Sequence, residues 1–89
     1  MNYVFIINPV AGKGGKADDI AKSIRGFFAD REEKINIYLS KCPGDATRFG
    51  KEYPIAEGEE TCFVACGGDG TFYEVVNGAF GRTGASFSI

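Results

Sequence analysis

Glycine is the residue type in excess in this chain, and its placement points to chemistry. Thirteen of the 89 residues are glycine. Gly12, Gly14 and Gly15 form one tight group, and Gly67, Gly68 and Gly70 form another. Glycine lets a backbone turn its N–H groups toward an anion, and a helix that follows such a turn adds a partial positive charge at its N-terminus. Two such loops side by side would suit a polyphosphate. Asp69 is the only carboxylate inside either loop. Composition closes off other chemistry. There is no histidine, so His-based acid–base catalysis and His metal sites are excluded. The three cysteines, Cys42, Cys62 and Cys66, are spaced like no zinc or redox motif and read as reduced structural thiols. No metal-ligating set stands out in the chain.

The flanking segments must position these loops. Tyr3 to Ile7 is continuously apolar, β-branched and aromatic, which predicts a strand buried on both faces, the habit of parallel sheets. Ala17, Ile20, Ala21, Ile24, Phe27 and Phe28 recur on a 3.6-residue period and predict a helix, with Lys16, Asp18, Asp19, Lys22 and Arg25 on its other face. Ile35 to Ser40 alternates and predicts a second, less buried strand. Pro43-Gly44-Asp45 reads as a turn with an N-cap residue, followed by a weaker helix from Ala46 to about Tyr53, with Phe49 and Tyr53 inward. Thr61 to Cys66 predicts a third buried strand. Phe72, Val75, Val76, Ala79 and Phe80 predict a third helix, opened by a T-x-x-E capping box of Thr71 and Glu74. Phe27, Phe28, Phe72 and Phe80 are expected in the core. Ala85 to Ile89 reads as the start of a fourth strand.

The order β-α-β-α-β-α-β implies an α/β fold, a three-layer α/β/α arrangement with a parallel sheet and right-handed crossovers. Both glycine groups are then strand-to-helix loops at the carboxyl edge of the sheet, where such folds bind ligands. Gly12-Lys13-Gly14-Gly15-Lys16-Ala17 fits the G-x-G-x-x-A dinucleotide fingerprint. That motif also needs an acidic residue at the end of the second strand, where this chain has Ser40 and Lys41. The G-x-x-x-x-G-K-[ST] pattern of a P-loop is absent.

Gly67-Gly68-Asp69-Gly70-Thr71, continuing through Glu74-Val75-Val76-Asn77-Gly78, closely resembles the G-G-D-G-T signature of the diacylglycerol kinase catalytic domain. Sphingosine, ceramide and bacterial lipid kinases share that signature, and NAD kinases carry its core. Asn8-Pro9-Val10-Ala11-Gly12-Lys13-Gly14 resembles the N-P-x-x-G-x-G of the lipid kinases, and Pro43-Gly44-Asp45-Ala46 resembles the connection into their second helix. The resemblance runs from about Tyr3 to Ile89. It implies a strand order of 3-2-1-4, with a flavodoxin-like 2-1-3 as the alternative. It implies that ATP binds with Mg²⁺ and that a lipid hydroxyl of the diacylglycerol or sphingosine type is phosphorylated. By the same resemblance Gly67, Gly68, Gly70, Thr71 and Glu74 would contact the nucleotide. Asn8, Gly12, Lys13 and Gly14 would form the opposing loop. Ser40 would stand where the family often has a nucleotide-facing Thr, and Asp69 would place the Mg²⁺–phosphate assembly.

The family continues into an all-β domain that supplies much of its lipid site. Residues 1–89 are therefore expected to be the N-terminal part of the ATP-binding domain, inactive alone. The alternatives are an NAD-kinase-like or dinucleotide-binding protein, and a non-catalytic nucleotide-binding or association module. The net charge of −2 argues against a nucleic-acid partner. No apolar run approaches the ~20 residues of a membrane span, so a cytoplasmic protein is expected, with lipid contact at most peripheral. Three helices must cover two apolar sheet faces, and the last strand has one neighbour. Self-association near Ala85 to Ile89 is therefore expected.

Overall fold

The computed structural model describes residues 1–9 and 16–89. Its elements are β1 (Asn2–Ile7), α1 (Lys16–Phe27), β2 (Lys34–Leu39), α2 (Asp45–Glu52), β3 (Thr61–Cys66), α3 (Asp69–Ala79) and β4 (Ala85–Ser88). The four strands form one parallel sheet in the order β2-β1-β3-β4. The implied order 3-2-1-4 is therefore wrong, and the flavodoxin-like arrangement holds. The chain steps outward from β1 to β2, then returns past β1 to lay down β3 and β4. Right-handed crossovers turn that reversal into a division of helices: α1 covers one face, while α2 and α3 share the other.

The two faces are unequally filled. On the α2/α3 face Val4, Ile6, Ala46, Phe63, Ala65, Val75 and Ala79 form the main core. Val4, Ile6, Phe63 and Val75 are fully buried, each stabilising the fold by about 1.5–3 kcal/mol. On the other face α1 reaches only a small cluster of Ile7, Ala17 and Ala21, with Ile24, Ile37 and Cys66 at its margin. β3 accordingly alternates between buried and half-buried residues rather than being buried throughout. Two expected core residues lie outside. Phe27 is 63% exposed because its neighbour Phe28 is the one that packs on Tyr3 and Phe5, leaving Phe27 beneath the Arg31 guanidinium. Phe80 is 78% exposed because α3 ends at Ala79, so the apolar stripe loses its last position.

α2 and α3 pack backbone to backbone. A Cβ at Gly50 would stand 3.3 Å from the Val75 carbonyl, and one at Gly78 would collide with the Thr47 carbonyl oxygen. The Thr47 hydroxyl donates to the Glu74 carbonyl at 2.8 Å, joining the same two helices. Beyond α3, Arg82 donates to the carbonyls of Gly50 and Tyr53, closing the C-terminal end of α2 with a cation where the helix dipole favours one.

Candidate functional site

In this topology β1 has β2 on one side and β3 on the other. The connections leaving β1 and β3 pass to opposite faces. Open α/β sheets bind ligands in the crevice that opens beside such a switch point. A cavity of about 310 Å³ lies at this edge, lined by Asn8, Pro9, Ser40, Lys41, Cys42, Pro43, Ala46, Thr71 and Glu74. Larger openings exist elsewhere. One of about 510 Å³ is lined by Glu32, Glu33 and Glu59 with Lys34, one of about 640 Å³ contains Glu57, Glu59 and Glu60, and one of about 490 Å³ is lined mainly by Tyr3, Phe5, Ile24, Phe27 and Phe28. Carboxylates dominate the first two and apolar side chains the third, and neither lining suits an anionic ligand.

The cavity gathers Asn8, Ser40 and the pair Thr71 and Glu74 from three separate stretches of sequence. Gly67, Gly68, Asp69 and Gly70 are exposed at the same edge, where β3 turns into α3. They stand beside the cavity rather than in its wall. Gly12, Lys13 and Gly14 lie outside the described residues. Lys41, Cys42, Pro43 and Ala46 were not expected as site residues. The only signal for them was the Pro43-Gly44-Asp45-Ala46 turn, read as a connection.

α3 starts on a backbone that only glycine tolerates. Gly67 and Gly68 have φ of 147° and 97°, and Gly68 is the N-cap, without a side-chain cap. The expected capping box does not form, because the helix begins before Thr71. Thr71 instead lies inside the first turn, 4% exposed, and its buried hydroxyl has no hydrogen-bond partner among the described residues. The hydroxyl of Thr61 is likewise unpartnered, but Thr61 lies at the opposite end of the sheet. Glu74 is freed from capping and reaches across to α2, where its Oε1 accepts the Gly44 N–H at 3.0 Å.

That contact is one of several among the described residues that fix the cavity wall from Ser40 to Gly44. The Ser40 N–H donates to the Ile7 carbonyl at 2.9 Å, and the Asp45 N–H donates to the Cys42 carbonyl at 3.1 Å. Asp45 Oδ2 accepts the Lys41 N–H at 2.8 Å. Asp45 is not the N-cap, a place taken by Gly44 at φ 86°. It is the first helical residue, and its carboxylate also accepts the Tyr38 hydroxyl at 2.7 Å and the Arg48 guanidinium at 2.6 Å.

The Tyr38 hydroxyl, the Arg48 guanidinium and the Lys41 N–H together lower the Asp45 carboxyl from the ordinary 3.8 to about 2. A carboxylate whose pKa falls on folding stabilises the fold above its unfolded value, and that stability is lost as pH drops through its folded value. Acid unfolding of the chain is therefore expected to have a component between about pH 4 and pH 2 that is missing in Asp45→Asn. Urea midpoints measured along a pH series check this. The same hydrogen bond raises the Tyr38 hydroxyl, Asp45 being the main cause. Its stabilising effect is complete below the ordinary value and fades as pH rises above it.

The diacylglycerol kinase catalytic domain family matches residues 2–89. The chain is 36% identical over 73 residues to a diacylglycerol kinase of Bacillus subtilis, covering 82% of this chain and 23% of that protein. It is 35% identical over 78 residues to the B. subtilis protein named "Putative lipid kinase YtlR", covering 86% of this chain and 25% of that one. Two solved Bacillus anthracis structures, each titled a "putative diacylglycerol kinase", superpose with TM-scores of 0.66 and 0.71 at 30% and 26% identity. They cover 86% and 98% of this chain, and 26% and 30% of theirs. The chain thus spans about a quarter of the curated relatives it matches, 23% of one and 25% of the other. The family match over residues 2–89, the relatives and the parallel sheet agree on one assignment: the chain belongs to the diacylglycerol kinase catalytic domain family.

Proposed function

We propose that this domain binds ATP at the carboxyl edge of its sheet and serves a lipid kinase that phosphorylates a lipid hydroxyl of the diacylglycerol or sphingosine type. The observation that carries this reading is the convergence of Asn8, Ser40, Thr71 and Glu74 on one cavity beside the Gly67–Gly70 turn. In this reading the nucleoside occupies the cavity and meets the unpartnered Thr71 hydroxyl. The phosphates lie against the backbone N–H groups at the start of α3.

Gly70 supports the placement of the phosphates. Its φ is not positive, and a Cβ there would meet nothing within 4 Å among the described residues. The described fold thus supplies no reason for glycine at this helical position, where it costs about 0.5–1 kcal/mol relative to alanine. Close approach of a ligand to the backbone supplies the missing reason. Gly70→Ala is expected to raise stability by up to about 1 kcal/mol while weakening ATP–Mg²⁺ binding at least about tenfold, the equivalent of 1.4 kcal/mol. Thermal melts and calorimetric titration of the same variant read the two effects. A variant that binds ATP like the parent chain contradicts the placement.

Among the described residues no three His, Cys, Asp or Glu side chains converge. Mg²⁺ is ordinarily held by one or two carboxylates together with substrate phosphates. Asp69, exposed in the first turn of α3, suits that role. Bound with ATP, the ion supplies charge neutralisation on the β- and γ-phosphate oxygens. In the transfer the lipid oxygen bonds to the γ-phosphorus as the bond to ADP breaks. The domain's own part is to orient the nucleotide and hold its charge. No helix among the described residues is long and apolar enough to cross a membrane. The dinucleotide reading has less support, because Ser40 and Lys41 follow the end of β2, where that motif places a carboxylate for a ribose.

A further inference from the structure

We propose that Cys42 is a thiol-modification site in which a mixed disulfide with a small thiol and a bound nucleotide exclude one another. This rests on the nucleotide reading above.

The three cysteines are not equivalent. All are free, but Cys42 is exposed while Cys62 and Cys66 are half-buried on β3. Burial pushes the Cys66 thiol up, which lowers its thiolate content and hence its reactivity. Access therefore favours Cys42. Position gives its modification a consequence. Cys42 lines the same 310 Å³ cavity as Thr71, whose buried hydroxyl lacks a hydrogen-bond partner. That orphan hydroxyl marks the cavity as a place built to receive a polar ligand.

The wall carrying Cys42 cannot easily retreat. Its neighbours on both sides are held by carboxylates, the Lys41 N–H by Asp45 and the Gly44 N–H by Glu74. Its own carbonyl accepts the Asp45 N–H at 3.1 Å. A tripeptide joined to the Cys42 sulfur must therefore share the cavity mouth with any nucleotide. The chemistry is ordinary exchange with a low-molecular-weight disulfide. The Cys42 thiolate attacks one sulfur, a new S–S bond forms as the old one breaks, and the other half leaves as a thiolate that takes up the proton Cys42 lost. The protein thiol is oxidised and the departing half is reduced. Linkage makes the exclusion reciprocal, so the factor by which the adduct weakens nucleotide binding is the factor by which nucleotide weakens adduct formation.

The test exposes the 89-residue chain to glutathione disulfide with and without ATP–Mg²⁺, locates adducts by peptide mass mapping and measures ATP binding by calorimetry. Cys42 is expected to be modified before Cys62 and Cys66. Saturating ATP is expected to suppress that adduct. The singly modified chain is expected to bind ATP at least about tenfold more weakly, with affinity restored by dithiothreitol. Cys42→Ser should bind ATP equally before and after exposure to the disulfide. Modification of Cys62 or Cys66 ahead of Cys42 overturns the proposal, as does an adduct on Cys42 that leaves ATP binding unchanged. Failure of the unmodified chain to bind ATP overturns the nucleotide reading and the exclusion with it. The adduct map still decides whether Cys42 is the reactive thiol.

Discussion

Gly78→Ala is expected to remove at least half the stability of the chain. A Cβ at this position collides with the carbonyl oxygen of Thr47 and stands 3.0 Å from the Lys51 nitrogen. Both obstacles are helix backbone, so no side chain can swing aside and α3 must move off α2. Overpacking a core typically costs about 1–3 kcal/mol, and more where nothing yields. Small domains have about 5 kcal/mol to lose. Displacing α3 also breaks the Thr47 to Glu74 hydrogen bond and loosens the Glu74 hold on Gly44. The expected result in urea is a midpoint lowered by more than half, or a chain unfolded without denaturant. Gly26→Ala is the matched control. It sits exposed near the end of α1, with nothing among the described residues within 4 Å, and the substitution is expected to stabilise by about 0.5–1 kcal/mol. Equal stability of Gly78→Ala and the parent chain would show that the helices are not in backbone contact.

Asp69→Asn, placed in a complete kinase, is expected to lower kcat by about a hundredfold to a thousandfold, the loss seen when a charge-stabilising group is removed from a reacting centre. Asp69 is exposed, carries the first turn of α3 and is the one carboxylate of the Gly67–Gly70 turn. Asparagine keeps its shape and its fitness for a helix start, so circular dichroism and the melting temperature should be unchanged. The deficit should appear in kcat at saturating ATP. Activity close to that of the parent enzyme would reduce Asp69 to a turn residue.

The Gly67–Gly70 turn and the strands were legible because each depends on local sequence, while Gly12 to Gly15 lie outside the described residues. The apolar run of β1, the period of α1 and the glycines before α3 appear in the structure within a residue or two of their predicted places. Strand order was not legible. The outward step to β2 and the return to β3 depend on which helices pack on which face, and no strand pattern encodes that. Exposure of Phe27 and Phe80 has the same origin, since a stripe does not reveal where a helix leaves the sheet or ends. The pair Thr71 and Glu74 is the most instructive miss. Their spacing fits a capping box, yet φ values open only to glycine at Gly67 and Gly68 let the helix start earlier. Thr71 is thereby left unpartnered beside the cavity, and Glu74 is aimed at Gly44. The Glu-Val-Val-Asn-Gly run then acquires a physical meaning. Glu74 fixes the cavity wall, Val75 fills the core, and Gly78 lets α2 approach.

The cavity and the Gly67–Gly70 turn are proposed to form one nucleotide site. Titration of ¹⁵N-labelled chain with ATP–Mg²⁺, followed by amide chemical shifts, tests it most directly. The account predicts saturable shifts at Asn8, Ser40, Cys42 and Gly67 through Thr71, reduced in Gly70→Ala. Shifts confined to the Tyr3, Phe5 and Phe28 face, or to the acidic edge around Glu32 and Glu59, with those amides unmoved, would contradict it.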